Sequence, residues 1–178
     1  MTFLFSQTKK DVQVLIDSCA KQADALNYSE AILSGKKAVE LSQKVKDKEL
    51  MYASNYELGR VYYLNARFSE ANTNYFKALL FAEKLNEQLK KGECLHAIGI
   101  VYYAMNEPEK SFEYFRKSLA LCTEKQFDIL RSKNYSYLAS LFYNAGISDS
   151  SLYYYEITIS FPLLEFRQRK IYRQSYYK

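Results

Sequence analysis

The chain has 178 residues, 48% hydrophobic and 25% charged, with a formal net charge of +5, and is long enough for one continuous core. Its 5 glycines and 2 prolines favour long helices with short connections and leave too little glycine for phosphate-cradling loops. The positive charge gathers in a tail where Arg167, Arg169, Lys170, Arg173 and Lys178 face only Glu165, so the body is nearly neutral and a nucleic-acid partner is not expected.

Phe3-Leu4-Phe5-Ser6-Gln7 has two readings: the end of a bacterial export signal, or an N-terminus whose aromatics cap the first helix. The second is simpler and favours the cytoplasm over a periplasmic or exported location, and the compartment stays open. A first helix A is expected from about Lys9 to Leu26, with Val12, Leu15, Ile16 and Cys19 on a buried stripe. Asn27-Tyr28-Ser29-Glu30 then turns the chain, Ser29 serving as N-cap, into a helix B carrying Ala31, Ile32, Ala38, Leu41 and Val45. A second unit begins near Asp47, and its turn Phe68-Ser69-Glu70-Ala71 repeats Tyr28-Ser29-Glu30-Ala31. In the third unit the turn is Pro108-Glu109-Lys110-Ser111, with proline in the first helical turn, where no N–H is needed. The fourth has Gly146 in a C-cap role, then Ser148-Asp149, and Pro162 ends its helix B. Leu163 to Lys178 reads as one further, mostly polar helix, either a solvated cap or part of a next repeat, or else a segment that binds anions.

These units keep a fixed step. Ala31, Ala71, Ser111 and Ser151 stand 40 residues apart, with Gly35, Tyr75, Phe115 and Tyr155 four positions on and Ala38, Ala78, Ser118 and Thr158 seven positions on. Leu58-Gly59-x-x-Tyr62-Tyr63 recurs as Ile98-Gly99-x-x-Tyr102-Tyr103 and Leu138-Ala139-x-x-Phe142-Tyr143. Self-similarity at a fixed period is the mark of stacked helix pairs. Small residues let each hairpin close tightly, and Tyr62, Tyr75, Tyr102, Phe115, Phe142 and Tyr155 are expected to fill the space between one unit and the next.

A Leu-Gly pair, an aromatic three positions after the Gly, a small residue nine later, then an aromatic and a small residue make the chain resemble the tetratricopeptide repeat family from roughly Lys9 to Phe161. The second and third units match best, while the first has Cys19 and Gln22 where Gly and Tyr are usual. The 40-residue step exceeds the family's usual length of about 34. It is similar to the extended repeats of bacterial signalling proteins and of peptide-holding adaptors. The expected fold is all-α: a right-handed α-solenoid of four such hairpins plus a C-terminal helix, in a single domain 1–178. The repeats run about 9–46, 47–86, 87–126 and 127–161, and the helix spans 163–178.

The resemblance implies a concave groove lined by helix A. Position by position, its lining would be Ala53, Tyr56, Arg60, Tyr63 and Leu64; then Glu93, His96, Ile100, Tyr103 and Ala104; then Lys133, Ser136, Ser140, Tyr143 and Asn144. The column Tyr63, Tyr103 and Tyr143 offers broad apolar faces edged by hydroxyls, with Arg60, His96 and Lys133 setting polarity. Members that grip a C-terminal carboxylate use a Lys/Asn/Arg clamp. Here those places hold Tyr56 and Arg60, Ala97 and Ile100, Lys133 and Tyr137; only Lys133 fits, so that function is not implied.

No catalytic, cofactor or metal site is expected. Cys19, Cys94 and Cys122 are widely spaced and read as packed, reduced thiols. His96, the sole histidine, cannot meet Cys94, because residues two apart on a helix diverge, and Glu93-x-x-His96 has no second copy to complete a metal site. No run reaches the roughly 20 apolar residues of a membrane span. The expected function is a non-catalytic scaffold that holds a peptide or protein in the helix A groove. The alternative is a sensory or oligomerisation segment of a bacterial signal-transduction or transcription-regulatory protein, with its effector module elsewhere. Homo-oligomers and fusion to further domains fit either.

Overall fold

The computed structural model describes residues 2–161, which form eight α-helices, one 3₁₀ turn and no strand. The expected helix at 163–178 and its basic residues lie outside the described residues. The helices are α1 (Thr2–Asp24), α2 (Tyr28–Val45), α3 (Lys48–Leu64), α4 (Phe68–Leu85), α5 (Gln88–Ala104), α6 (Pro108–Leu121), α7 (Asp128–Asn144) and α8 (Ser148–Ser160). The 3₁₀ turn, Lys125–Phe127, precedes α7. The architecture is an all-α helical repeat, and no helix among the described residues is long and apolar enough to cross a membrane.

The chain divides into two compact units between Cys94 and Leu95, within α5. In the first, α1 packs on α2 and α3, α2 on α3, and α3 on α4. Among the described residues its core includes the buried clusters Val12, Ile16, Ala38 and Val45; Cys19, Ala23, Ala31 and Val61; and Tyr52, Ala78, Ala82 and Cys94. In the second unit α7 packs on α6 and α8, around Phe115, Leu138 and Leu141, with Cys122, Phe127 and Leu130 alongside. All three cysteines are buried free thiols, and desolvation pushes Cys19 up to about 12 and Cys122 to about 11.

Each hairpin closes through one repeated backbone device. Leu26, Ala66, Asn106 and Gly146 adopt left-handed conformations (φ 63°, 55°, 58° and 74°). The next residue, Asn27, Arg67, Glu107 or Ile147, then works twice. Its N–H donates to the carbonyl five residues back, at 2.8–2.9 Å, sealing the end of helix A, while its own carbonyl accepts the N–H of Ala31, Ala71, Ser111 or Ser151 at 2.9–3.1 Å, opening helix B. This moves the expected cap: α2 starts at Tyr28, so Ser29 lies inside its first turn. Asn27 is the cap residue and makes no side-chain cap bond. The turn is so short that the residue sealing one helix is the cap residue of the next, and its backbone carbonyl opens that helix without a side-chain cap. A side-chain cap does appear at α3, where Asp47 accepts from Glu49 N–H at 3.0 Å and Leu50 N–H at 3.2 Å.

The small residues of the period explain how closely the hairpins pack. A methyl added at Gly59 would lie 2.9 Å from the Tyr75 ring, and one at Gly99 would lie 2.7 Å from Phe115 Cε1. These aromatics therefore fill the inside of their own hairpins, rather than only the space between successive units as expected. The first hairpin reverses the arrangement: Cys19 stands at the register of Gly59 and Gly99, and Gly35 on helix B provides the room, its added methyl 3.0 Å from Cys19 Sγ. Ser111 Oγ donates to Gly99 O at 2.9 Å and Ser151 Oγ to Ala139 O at 3.0 Å, which satisfies buried hydroxyls at the same contact.

Candidate binding surface

Helical spacing sets the expected residues on one stripe of each helix A, at i, i+4 and i+7. In the first unit that stripe is Tyr56, Arg60 and Tyr63 on α3. Tyr56 packs between Tyr52 and Tyr75, with ring centroids 5.7 and 5.4 Å away, and burial raises its hydroxyl pKa well above the ordinary value. Arg60 is committed to Glu57 at 2.7 Å and Asp24 at 3.2 Å, and its guanidinium also reaches Ala20 O at 3.5 Å, tying α3 to α1. Tyr63 is half-buried beside Phe68.

In the second unit α5 contributes His96, Ile100 and Tyr103. His96 is buried, so it does not set the polarity of a groove as expected. Its ring lies against Phe115 and Tyr137, and its Nδ1 is 2.9 Å from Asn134 Oδ1. Asn134 Nδ2 donates to Ser118 Oγ at 2.8 Å and Leu130 O at 3.0 Å. Asn134 therefore presents its carbonyl to the imidazole, which fixes the neutral tautomer with the proton on Nδ1. Desolvation, reinforced by the charge of Lys133, lowers the His96 pKa to about 4. Ile100 packs against the Phe115 cluster. Tyr103 meets Tyr137 edge-on, and its hydroxyl accepts from Asn144 Nδ2 at 2.9 Å.

On α7 the same stripe is more open. Lys133 is exposed and Tyr143 is 61% exposed, while Ser136 and Ser140 are half-buried. Ser140 Oγ donates to Ser136 O at 3.1 Å and lies 3.2 Å from the Tyr155 hydroxyl. Among the described residues no group of three or more His, Cys, Asp or Glu could hold a metal ion.

A model of the tetratricopeptide repeat family matches residues 49–124. That stretch carries tetratricopeptide repeats. Solved structures extend the likeness along the repeats. A signal-transduction ATPase with a tetratricopeptide repeat sensor, from Pyrococcus horikoshii, has a TM-score of 0.79 and 21% identity over 92% of this chain and 25% of its own. The Rap conjugation gene regulator of plasmid pLS20, in complex with the Phr* peptide, has 0.75 and 19%, over 90% of this chain and 45% of its own. A putative kinesin light chain from Podosopora anserina with nearly identical tetratricopeptide-like repeats has 0.76 and 16%, over 93% and 82%. The chain thus spans a quarter and under half of the first two. No curated protein sequence matches it.

Beyond the matched stretch, three polar or aromatic residues of the second unit matter more than their sequence signals suggested. Tyr137 stacks on Phe115 at 5.0 Å and contacts both His96 and Tyr103. Asn134 and Asn144 anchor α7 to α5 through the bonds above. A signal did exist: Asn134, at the register of Ser54 and Cys94, is an amide on a stripe where the other copies are small and buried.

Proposed function

We propose that this chain is a non-catalytic interaction scaffold that binds a peptide or protein segment on the exposed faces of its tetratricopeptide helices A. The observation that carries this is the stripe on α7. There Lys133 and Tyr143 stay at the surface over half-buried Ser136 and Ser140, which gives an aromatic face with a polar edge and one cation. Tyrosine provides contact area at little entropic cost, and the hydroxyl can satisfy a partner's main chain. The structural likeness to a regulator in complex with a peptide supports the same reading. Tyr56 and His96 act in this scheme as inner supports of the helices that present the surface, and Arg60 holds α3 to α1.

Peptides selected from a displayed library against the whole chain test this reading. Tyr103→Ala combined with Tyr143→Ala should weaken the selected peptides by about tenfold or more, and Lys133→Glu should change which charges are selected. Unchanged affinity for every selected peptide in the double variant would remove the helix A face from consideration.

A second reading is supported by the likeness to the tetratricopeptide sensor of a signal-transduction ATPase: the chain would be the sensory segment of a larger regulator. Sequencing the reading frame beyond both ends tests it. A contiguous ATPase or DNA-binding module favours it, and a stop codon directly after Lys178 counts against it.

A further inference from the structure

In the second unit, where α5 turns into α6 and α7 into α8, two depressions share Pro108, Leu141 and Ala145 and so form one trough. One part, about 160 Å³, is rimmed by Tyr103, Asn106 and Asn144. The other, about 330 Å³, is walled by Phe112, Phe142 and Ile147, with Glu109 at its edge. Phe112 and Phe142 meet edge to face at 5.9 Å, which fixes the wall.

Ile147 is the residue the fold does not account for. It is 47% exposed, and its register partners are the polar Asn27, Arg67 and Glu107. All four supply the same two backbone bonds to their turns, so nothing in the hairpin requires an apolar side chain at 147. An exposed isoleucine beside two phenylalanines instead extends an apolar surface outward. The polar end is equally specific. Asn144 uses its Nδ2 on the Tyr103 hydroxyl, which leaves its carbonyl oxygen and the hydroxyl hydrogen on the rim together with the Asn106 carboxamide. A carboxamide matches a peptide main chain, one donor and one acceptor. Charge completes the pattern: Lys110 is paired with Glu107, Lys117 with Glu113, and Arg116 lies over the Phe112 ring, so the lining itself contributes the carboxylate of Glu109.

We infer that this trough docks an extended peptide segment of a partner protein in which a large aliphatic or aromatic side chain is followed by a basic residue. The apolar side chain seats among Phe112, Phe142 and Ile147. The cation meets Glu109, and Asn106 and Asn144 engage the main chain. The surface is separate from the α7 stripe of Lys133 and Tyr143.

Fluorescence anisotropy on the whole chain tests this with labelled dodecapeptides of glycine and serine carrying Leu-Arg-Arg, Ala-Arg-Arg or Leu-Glu-Glu. The Leu-Arg-Arg probe should bind, and both other probes should bind about tenfold more weakly or not at all. Ile147→Asp and Glu109→Lys change exposed side chains, so circular dichroism should report native helix content, and each should weaken the Leu-Arg-Arg probe by about tenfold. Tyr143→Ala should leave that affinity unchanged, which separates this trough from the α7 stripe of Lys133 and Tyr143. Failure of the probe to bind, or equal affinity for Ile147→Asp or for the Leu-Glu-Glu probe, would overturn the inference. So would a dimer that Ile147→Asp abolishes, which would make a second copy the occupant. Binding only after removal of residues 162–178 would likewise assign the trough to the chain's own tail.

Discussion

His96 illustrates how a single buried group makes stability depend on pH. Its imidazole is held neutral between Phe115, Tyr137 and Asn134, with a pKa lowered from 6.5 to about 4. The unfolded chain therefore takes up a proton at higher pH than the folded one. Stability is unaffected by this group above the unfolded value and falls as pH drops from there toward the folded value. The loss is on the order of 3 kcal/mol across that window. His96→Gln keeps an amide donor for Asn134 and removes the titration. Urea unfolding at about pH 7 and about pH 4.5 should show the wild type losing more stability than the variant, since the carboxylates contribute equally to both. Equal losses would mean that His96 is not the group responsible.

At the scale of elements, the hairpin turn decides both the period and where the sequence misleads. The 40-residue step is legible because the turn's backbone bonds recur at the same offsets and the close hairpin packing buries the small residues Ala31, Ala71, Ser111 and Ser151. The cap at Ser29 is not, because serine suggests a side-chain cap and nothing in the local pattern reveals that the preceding helix's closing residue already fills that role. The same turn leaves strain in place. Only the fourth copy has glycine at the left-handed position; Leu26 and Ala66 adopt it with a β-carbon, at a cost of about 1 kcal/mol each. Ala66 is exposed, so losing its methyl sacrifices no packing. Ala66→Gly should therefore raise stability by about 0.5 kcal/mol, after the added freedom of the unfolded chain is set against the relief of strain. Calorimetry would read this as a small rise in melting temperature, and a fall would show that the turn is not strained at that residue.

For the whole molecule, helix spacing gives the face a residue occupies but not whether that face stays open. Tyr56, His96 and Ser136 share one register, yet Tyr56 is enclosed by Tyr52 and Tyr75, His96 by Phe115, Tyr137 and Asn134, and Ser136 is half-buried. Exposure is a property of neighbouring helices, which one helix's periodicity does not contain. The same locality governs stability, because in a repeat array each element is held mainly by its immediate neighbours. Phe115 is fully buried at the centre of the second unit's cluster, stacked on Tyr137 and packed with Leu138 and Leu141. Phe115→Ala should cost about 3–5 kcal/mol by removing that ring from a site where Gly99 has no side chain to fill the space. The first unit keeps clusters of its own, so the loss should be confined. Native-state hydrogen exchange should show amides of α6, α7 and α8 losing most of their protection while those of α1, α2 and α3 retain it. Uniform loss along the chain would mean that the helices unfold as one cooperative body, with the two units unable to open separately.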